Sequence, residues 1–75
     1  MPTVYRTGSQ KVQVFADDHL PEHFHIVGPD FEVLVRMSDL SILKGERHRR
    51  HIDHMLAWAR QHIDLLKEEW ARLND

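Results

Sequence analysis

The sequence predicts an α+β fold, in which a small antiparallel sheet of four or five strands is covered on one face by a long C-terminal helix. Two observations predict it. As far as residue 44, apolar and polar residues alternate with the two-residue period of half-buried strands, and turn residues interrupt the pattern. From residue 46 onward the apolar spacing becomes helical. A chain of 75 residues has room for one domain, with strands over about 3–44 and helix over about 46–73.

The strand region divides at turn signals. Gly8-Ser9 suits a tight hairpin because glycine accepts positive φ, and the GPD sequence at 28–30 is a second turn signal. The predicted strands are TVYR at 3–6, KVQVFA at 11–16, HFHIV at 23–27, FEVLVRM at 31–37 and a short LSILK at 40–44.

The C-terminal region carries one apolar helix face with charged residues opposite. That face comprises Ile52, Met55, Leu56, Ala59, Ile63, Leu66, Trp70 and Leu73. No proline or glycine interrupts residues 46–75, so one helix and two helices meeting near Gln61-His62 fit the pattern equally well.

Composition narrows the function classes. The absence of cysteine removes disulfides, thiolate metal sites and thiol nucleophiles, which leaves histidine and carboxylate as reactive groups. A formal charge of −2 disfavours a general nucleic-acid binder. No apolar run approaches a membrane span and no secretory signal is evident, so we expect a soluble cytoplasmic protein with no membrane partner.

The densest concentration of reactive groups is DDHLPEHFHIVG at 17–28, which holds three histidines and three carboxylates. His23 and His25 share one face of their strand because successive side chains alternate, and Phe24 and Ile26 share the other. Phe24, Ile26, Phe31, Val33 and Val35 are the expected lining beneath the helix. A single amphipathic helix covers one sheet face, so we expect the histidines on the uncovered face.

Three interpretations of this segment stay open. His23 and His25 suit a divalent transition metal such as zinc or nickel, although a third protein ligand is not evident. They also suit metal-free RNA cleavage as a proton acceptor and donor, with His19 as a further catalytic candidate and His19 or Asp18 orienting a ring. Tyr5 or Phe15 would then stack a base, and Lys11 or Arg36 would hold the phosphate. The third interpretation is a polar loop leading into a strand.

A second cluster, ERHRRHIDH at 46–54, places cations at the start of the helix, where the helix dipole disfavours them. It indicates either an acidic partner or nucleic acid, or a solvated first turn. A second apolar flank of the helix, around Trp58 and Leu65, packs either on the sheet edge or on another subunit. The candidate partner-binding residues are Arg47, Arg50, His51, His54, Trp58 and Leu65.

Four segments taken together resemble a known family. They are the opening MPTVYR, the H-x-P-x-HFHI segment, the strand FEVLVRM and the end LAWARQHIDLLKEEWARL. In this order they look like the small bacterial proteins of the family called domain of unknown function 4160. Here Pro21-Glu22-His23 stands where members resemble PPHFH, and the histidine- and arginine-rich helix start departs from the family pattern.

The resemblance implies a small αβ fold without an established activity. Members are often encoded beside another small protein, in arrangements similar to toxin–antitoxin pairs. The predicted function is therefore a binding or accessory component of such a pair, acting through contact with a protein partner or by self-association as a dimer. The alternative is a histidine-dependent ribonuclease or metal-assisted phosphodiesterase centred on His23 and His25.

Overall fold

The computed structural model describes residues 3–16 and 19–74, so Asp17 and Asp18 of the predicted site lie outside the described residues. The strands are β1 (Thr3–Thr7), β2 (Gln10–Gln13), β3 (His23–Val27), β4 (Glu32–Arg36) and β5 (Ile42–Lys44). They are followed by a 3₁₀ segment (Glu46–His51), α1 (Asp53–Gln61) and α2 (Ile63–Asn74). The sheet has the order β1-β2-β3-β4-β5 and every neighbouring pair is antiparallel. The predicted α+β fold is confirmed.

The core lies between one face of the sheet and the two helices. The side chains of Phe24, Ile26, Val33 and Val35 are fully buried, as the strand alternation predicts. The buried residues of the helical region are Ile52, Met55, Ala59, Leu66 and Trp70, all from the predicted apolar face. Phe31, expected in the same lining, is only half-buried.

The helix is broken at His62, which decides between the two sequence interpretations. In a continuous helix the carbonyl of Trp58 would accept the backbone N–H of His62. Here that N–H donates to the carbonyl of Ala59 at 3.1 Å, and the His62 ring nitrogen Nδ1 lies 2.9 Å from the Trp58 carbonyl oxygen. The imidazole therefore replaces the missing backbone donor. Within the described residues, no helix is long and apolar enough to cross a membrane.

The first residues of the predicted helix, Glu46–His51, form a 3₁₀ segment instead of an α-helix. Residues three apart are aligned in a 3₁₀-helix, so His48 and His51 lie on the same side. Both rings stack on Phe31, with centroids 5.1 and 5.9 Å from its ring. The stack accounts for the position of Phe31 at the margin of the core.

Gly45 connects β5 to the 3₁₀ segment with φ of 92°, and a Cβ there would lie 2.8 Å from the carbonyl oxygen of Glu32. We expect Gly45→Ala to lower the free energy of unfolding by about 2 kcal/mol, because it adds backbone strain and a clash with β4. Urea unfolding measures this.

Gly8→Ala is the matched control, since Gly8 also has positive φ (58°) but has open space around the position of a Cβ. It should lower the free energy of unfolding by only about 1 kcal/mol, the cost of the left-handed conformation alone. Equal effects of the two substitutions would contradict the clash at Gly45.

Candidate functional site

The sheet face opposite the helices, called here the open face, is centred on His25. His25 is paired with Gln13 of β2 and Leu34 of β4, and its side chain points away from the core because Phe24 and Ile26 point into it. The structure therefore places His25 on the face predicted from the sequence.

Cationic side chains surround His25 at neighbouring register positions of the open face. Arg6 is paired with Lys11, which is paired in turn with Val27 on the same face as His25. On the other side Lys44 is paired with Leu34, and Arg36 is paired with His23. The one carboxylate among these paired positions is Glu32, opposite Val27. This group of strand positions has an excess of positive charge although the chain as a whole has a formal charge of −2.

His25 and Glu32 form a hydrogen-bonded pair at the surface. Nδ1 of His25 lies 2.7 Å from Oε2 of Glu32, and the side chains are 12% and 51% exposed. A carboxylate oxygen only accepts, so Nδ1 carries the proton and Nε2 of the neutral ring carries the lone pair. The edge contact with Phe15, at 4.4 Å between ring centroids, further limits the orientation of the imidazole.

His23 lies on the same strand face but is buried, with 1% exposure. Its ring centroid is 5.1 Å from that of His25, 5.5 Å from that of His19 and 5.4 Å from that of Trp70. Its Nδ1 lies 2.7 Å from the carbonyl oxygen of Pro21, which follows a cis Leu20-Pro21 bond. The expectation that the sheet leaves His23 uncovered is therefore wrong, because neighbouring rings enclose it.

The three predicted catalytic histidines come together, with His23 between His19 and His25 and with His19 exposed. Lys11 and Arg36 belong to the same face, as the phosphate-holding interpretation requires. Tyr5 does not, since it is paired with the core residue Val12 and stacks on Trp58. The described residues contain no group of three or more histidine or carboxylate side chains placed to hold a metal ion, and a metal at His23 and His25 stays a prediction.

The family whose description is Domain of unknown function (DUF4160) matches residues 11–71, a range that includes most of β2, the strands β3 to β5 and nearly all of the helical region. The chain belongs to the DUF4160 family. This confirms the resemblance seen in the sequence. No curated protein and no solved structure matches the chain. The description of the DUF4160 family assigns no activity to its members.

Glu32 is the site residue of this DUF4160 chain that the sequence interpretation did not single out. The sequence contained the information needed to find Glu32, because a short hairpin around the GPD turn pairs Val27 with Glu32. That register makes Glu32 a diagonal neighbour of His25 on the same strand face, within reach of a long side chain. A hairpin register assigned in advance would have found the pair.

Arg36 is hydrogen-bonded to Asp39, a residue of the connection between β4 and β5. Its Nε lies 3.0 Å from Oδ1 of Asp39, which also accepts the backbone N–H of Ser41 at 3.0 Å. The guanidinium of Arg36, with the donors of Ser41, holds the pKa of the Asp39 carboxyl far below its usual range. The carboxylate of Asp39 thus neutralises Arg36, whereas the other cations of the open face are Arg6, Lys11 and Lys44.

The predicted partner-binding residues fall into two groups. Arg47 and Arg50 are exposed in the 3₁₀ segment, together with Arg49, whose Nε lies 2.7 Å from Oε2 of Glu46. We call Arg47, Arg49 and Arg50 the arginine patch. His51, between this patch and α1, contacts Phe31 with its ring, and its backbone carbonyl accepts the Gln10 amide at 2.9 Å.

The other group lies on the helices. Trp58 is half-buried in a ring stack, with its centroid 4.3 Å from that of Tyr5 and 4.5 Å from that of His62. Since Tyr5 is in β1, this flank packs on the edge of its own sheet. Leu65 is 39% exposed and His54 is exposed. A partner contact through Trp58, Leu65 or His54 stays a prediction.

The hydrogen bonds of His23 and His25 predict the tautomers of both rings. At a pH where both are neutral, we expect each to carry its proton on Nδ1, since Pro21 and Glu32 present acceptors there. Glu32→Ala should remove this preference at His25 and leave His23 unchanged. Long-range ¹⁵N–¹H NMR correlations distinguish the tautomers, and Glu68→Ala, at an exposed position of α2, is the control. A proton on Nε2 of His25 in the wild type would contradict the pairing with Glu32.

The depressed pKa of Asp39 predicts an acid-dependent contribution to stability. A carboxyl with a lowered pKa in the folded state stabilises the fold above its unfolded pKa of about 3.9, and this contribution is lost as pH falls through the folded pKa. Asp39→Asn should therefore lower the melting temperature at neutral pH, and the difference from wild type should narrow below about pH 4. Thermal scans across pH measure this, with Glu68→Gln as the control. A constant difference down to the lowest pH would contradict the assignment.

Proposed function

We propose that the protein is a binding component of a two-gene, toxin–antitoxin-like pair and that it contacts an acidic segment of a protein partner through the arginine patch and the adjoining edge of β5. The observation that carries this proposal is the position of the patch. The exposed guanidinium groups of Arg47 and Arg50 follow directly after an edge strand of the sheet.

The edge supports the proposal through the hydrogen-bonding capacity of its backbone. Among the described residues, β5 has β4 on one side and no strand on the other. An edge strand is a template on which an extended segment of another protein adds a strand. Leu43, in the middle of β5, is 42% exposed and offers apolar contact to such a segment.

The charge distribution supports an acidic partner. Four of the ten lysine and arginine residues of the chain are Lys44, Arg47, Arg49 and Arg50. Only Arg49 among the three arginines of the patch pairs with a carboxylate in the described part of the chain. Opposite charges across an interface speed association and align the partners. The gene arrangement implied by the family resemblance supplies a second small protein as the candidate partner.

A matched pair of charge reversals tests the proposal, with the purified product of the adjacent gene as the probe in isothermal titration calorimetry. Arg47→Glu combined with Arg50→Glu should weaken binding by about tenfold or more, because both positions would then carry the same sign of charge as the acidic segment. Arg60→Glu combined with Lys67→Glu changes the net charge equally at exposed positions of α1 and α2. This control should bind nearly as well as wild type.

If the two double variants weakened binding equally, net charge alone would explain the effect, and the proposal of a specific contact at the arginine patch would be contradicted. Absence of binding by the wild type, with a dimer of this chain alone in sedimentation velocity, would replace the proposed partner by a second copy of the chain. A dimer that survives the reversal of Arg47 and Arg50 would also exclude the patch as its contact surface.

A further inference from the structure

The β1–β2 hairpin carries two cations at directly opposite positions of its ladder. Arg6 is paired with Lys11, and the Cβ atoms of such a pair lie about 4.5–5.5 Å apart. Like charges at directly opposite positions destabilise a hairpin. Within residues 3–16 and 19–74, no carboxylate forms an ion pair with either side chain. The described part of the chain therefore supplies no counter-charge to this pair of cations.

A small cavity adjoins the two cations. Its volume is about 130 Å³, and it is lined by Arg6, Gly8, Ser9, Gln10 and Lys11. Arg6 and Ser9 are exposed and Lys11 is half-buried, so a ligand reaches the cavity from solvent. The volume is well below the range of about 300–1,000 Å³ that is typical of sites for whole small molecules. One chemical group of a ligand therefore fits, and the rest of a larger ligand would remain outside.

We infer that this cavity binds one phosphoryl group, carried by inorganic phosphate or by a small phosphate monoester. The guanidinium of Arg6 presents donors that match phosphate oxygens, and the ammonium of Lys11 adds a second charge from the neighbouring strand. The ladder ends before Gly8 and Ser9, so the backbone N–H groups of these two residues lie outside it. Successive N–H groups of a tight turn commonly bind anions. A bound anion also relieves the repulsion between the two cations.

The chemistry of the lining favours a phosphoryl group over a carboxylate. A phosphate monoester carries a charge of about −1.5 to −2 at neutral pH, which matches two cations, whereas a carboxylate carries one negative charge. The tetrahedral oxygens of the phosphoryl group also point in several directions, and the donors of the cavity come from two strands and a turn. In the sheet order, β3 and β4 lie between this hairpin and β5. The site is therefore distinct from the proposed partner contact and goes beyond it.

The test is a titration of the full ¹⁵N-labelled chain with sodium phosphate, followed by NMR at about pH 8, where phosphate monoesters carry two charges. Sodium chloride holds the ionic strength constant, and sodium acetate in a parallel titration is the control anion. We expect saturable shift changes centred on residues 6–11. Acetate should bind at least about tenfold more weakly, because it brings less charge and fewer oxygens to the same donors.

Charge variants at matched positions assign the residues. Arg6→Gln and Lys11→Gln should each weaken phosphate binding by about tenfold, and Arg6→Glu should abolish it, because the introduced carboxylate repels phosphate and pairs with Lys11. Arg60→Glu changes the net charge equally at an exposed position of α1 and should keep the wild-type affinity. Circular dichroism of each variant establishes that the comparison is made between folded proteins.

Thermal unfolding of the same variants gives a second measurement. Without phosphate, Arg6→Glu should melt at a higher temperature than Arg6→Gln, because opposite charges then face each other across the ladder. At a phosphate concentration tenfold above the dissociation constant, the melting temperature of the wild type should rise by about 5 °C more than that of Arg6→Glu. The comparison between variants removes the general stabilisation that phosphate gives to folded proteins.

Methyl phosphate, a small monoester, distinguishes the two sources of the phosphoryl group. Affinity equal to that of inorganic phosphate would support a site for a phosphorylated ligand, and binding of inorganic phosphate alone would support a site for the free ion. Three outcomes would overturn the inference: shift changes that do not saturate or do not centre on residues 6–11, equal binding of acetate, and equal loss of phosphate binding in Arg6→Glu and Arg60→Glu. None of these outcomes bears on binding of the adjacent gene product at Arg47 and Arg50.

Discussion

The structure depends on the burial of Phe24 and Ile26 between the sheet and the two helices. Both side chains are fully buried, and burial of an apolar side chain of this size stabilises a protein by roughly 1.5–3 kcal/mol. A register shift of one residue would turn both side chains to the opposite face. The core therefore also determines that His23 and His25 point to the open face, whatever contacts those histidines make. The orientation of the histidines on that face is therefore a consequence of apolar packing in the core.

The helical region is shaped by two backbone irregularities, one at its start and one between α1 and α2. Gly45, with φ of 92°, turns the chain closely past β4 into the 3₁₀ segment. His62 then ends α1, and its ring supplies a donor to the carbonyl of Trp58 that the backbone no longer reaches. The same ring stacks on Trp58, which stacks on Tyr5 of β1. The break thus connects the helices to one sheet edge, while the stack of Phe31 with His48 and His51 connects the 3₁₀ segment to the β3–β4 turn.

The sequence pattern predicted those features of the fold that depend on residues close together in the chain. The alternation of Phe24 and Ile26 with polar residues located β3 and its buried face, and the spacing from Ile52 to Trp70 located the buried side of the helices. The burial of His23 was not predictable in this way, because it depends on Trp70, a residue distant in sequence, approaching the end of β3. The 3₁₀ geometry of Glu46–His51 was missed because a period of three and a period of 3.6 are hard to distinguish over six residues. Glu32 was missed because pairing across a hairpin requires a register, which periodicity alone does not supply.

Lys44 connects the proposed partner contact to the sheet face that carries His25. It is paired with Leu34 in the register row of His25, and it is also the last residue of β5, separated by Gly45 from the 3₁₀ segment that carries the arginine patch. A partner segment added to the β5 edge would lie one strand beyond β5, about 5 Å from β5 and about 15 Å from β3, the strand that carries His25. An acidic segment at that distance would attract Lys44 and lower the positive potential around His25. Partner binding would then change the electrostatics of the sheet face that carries His25, without any change in the fold.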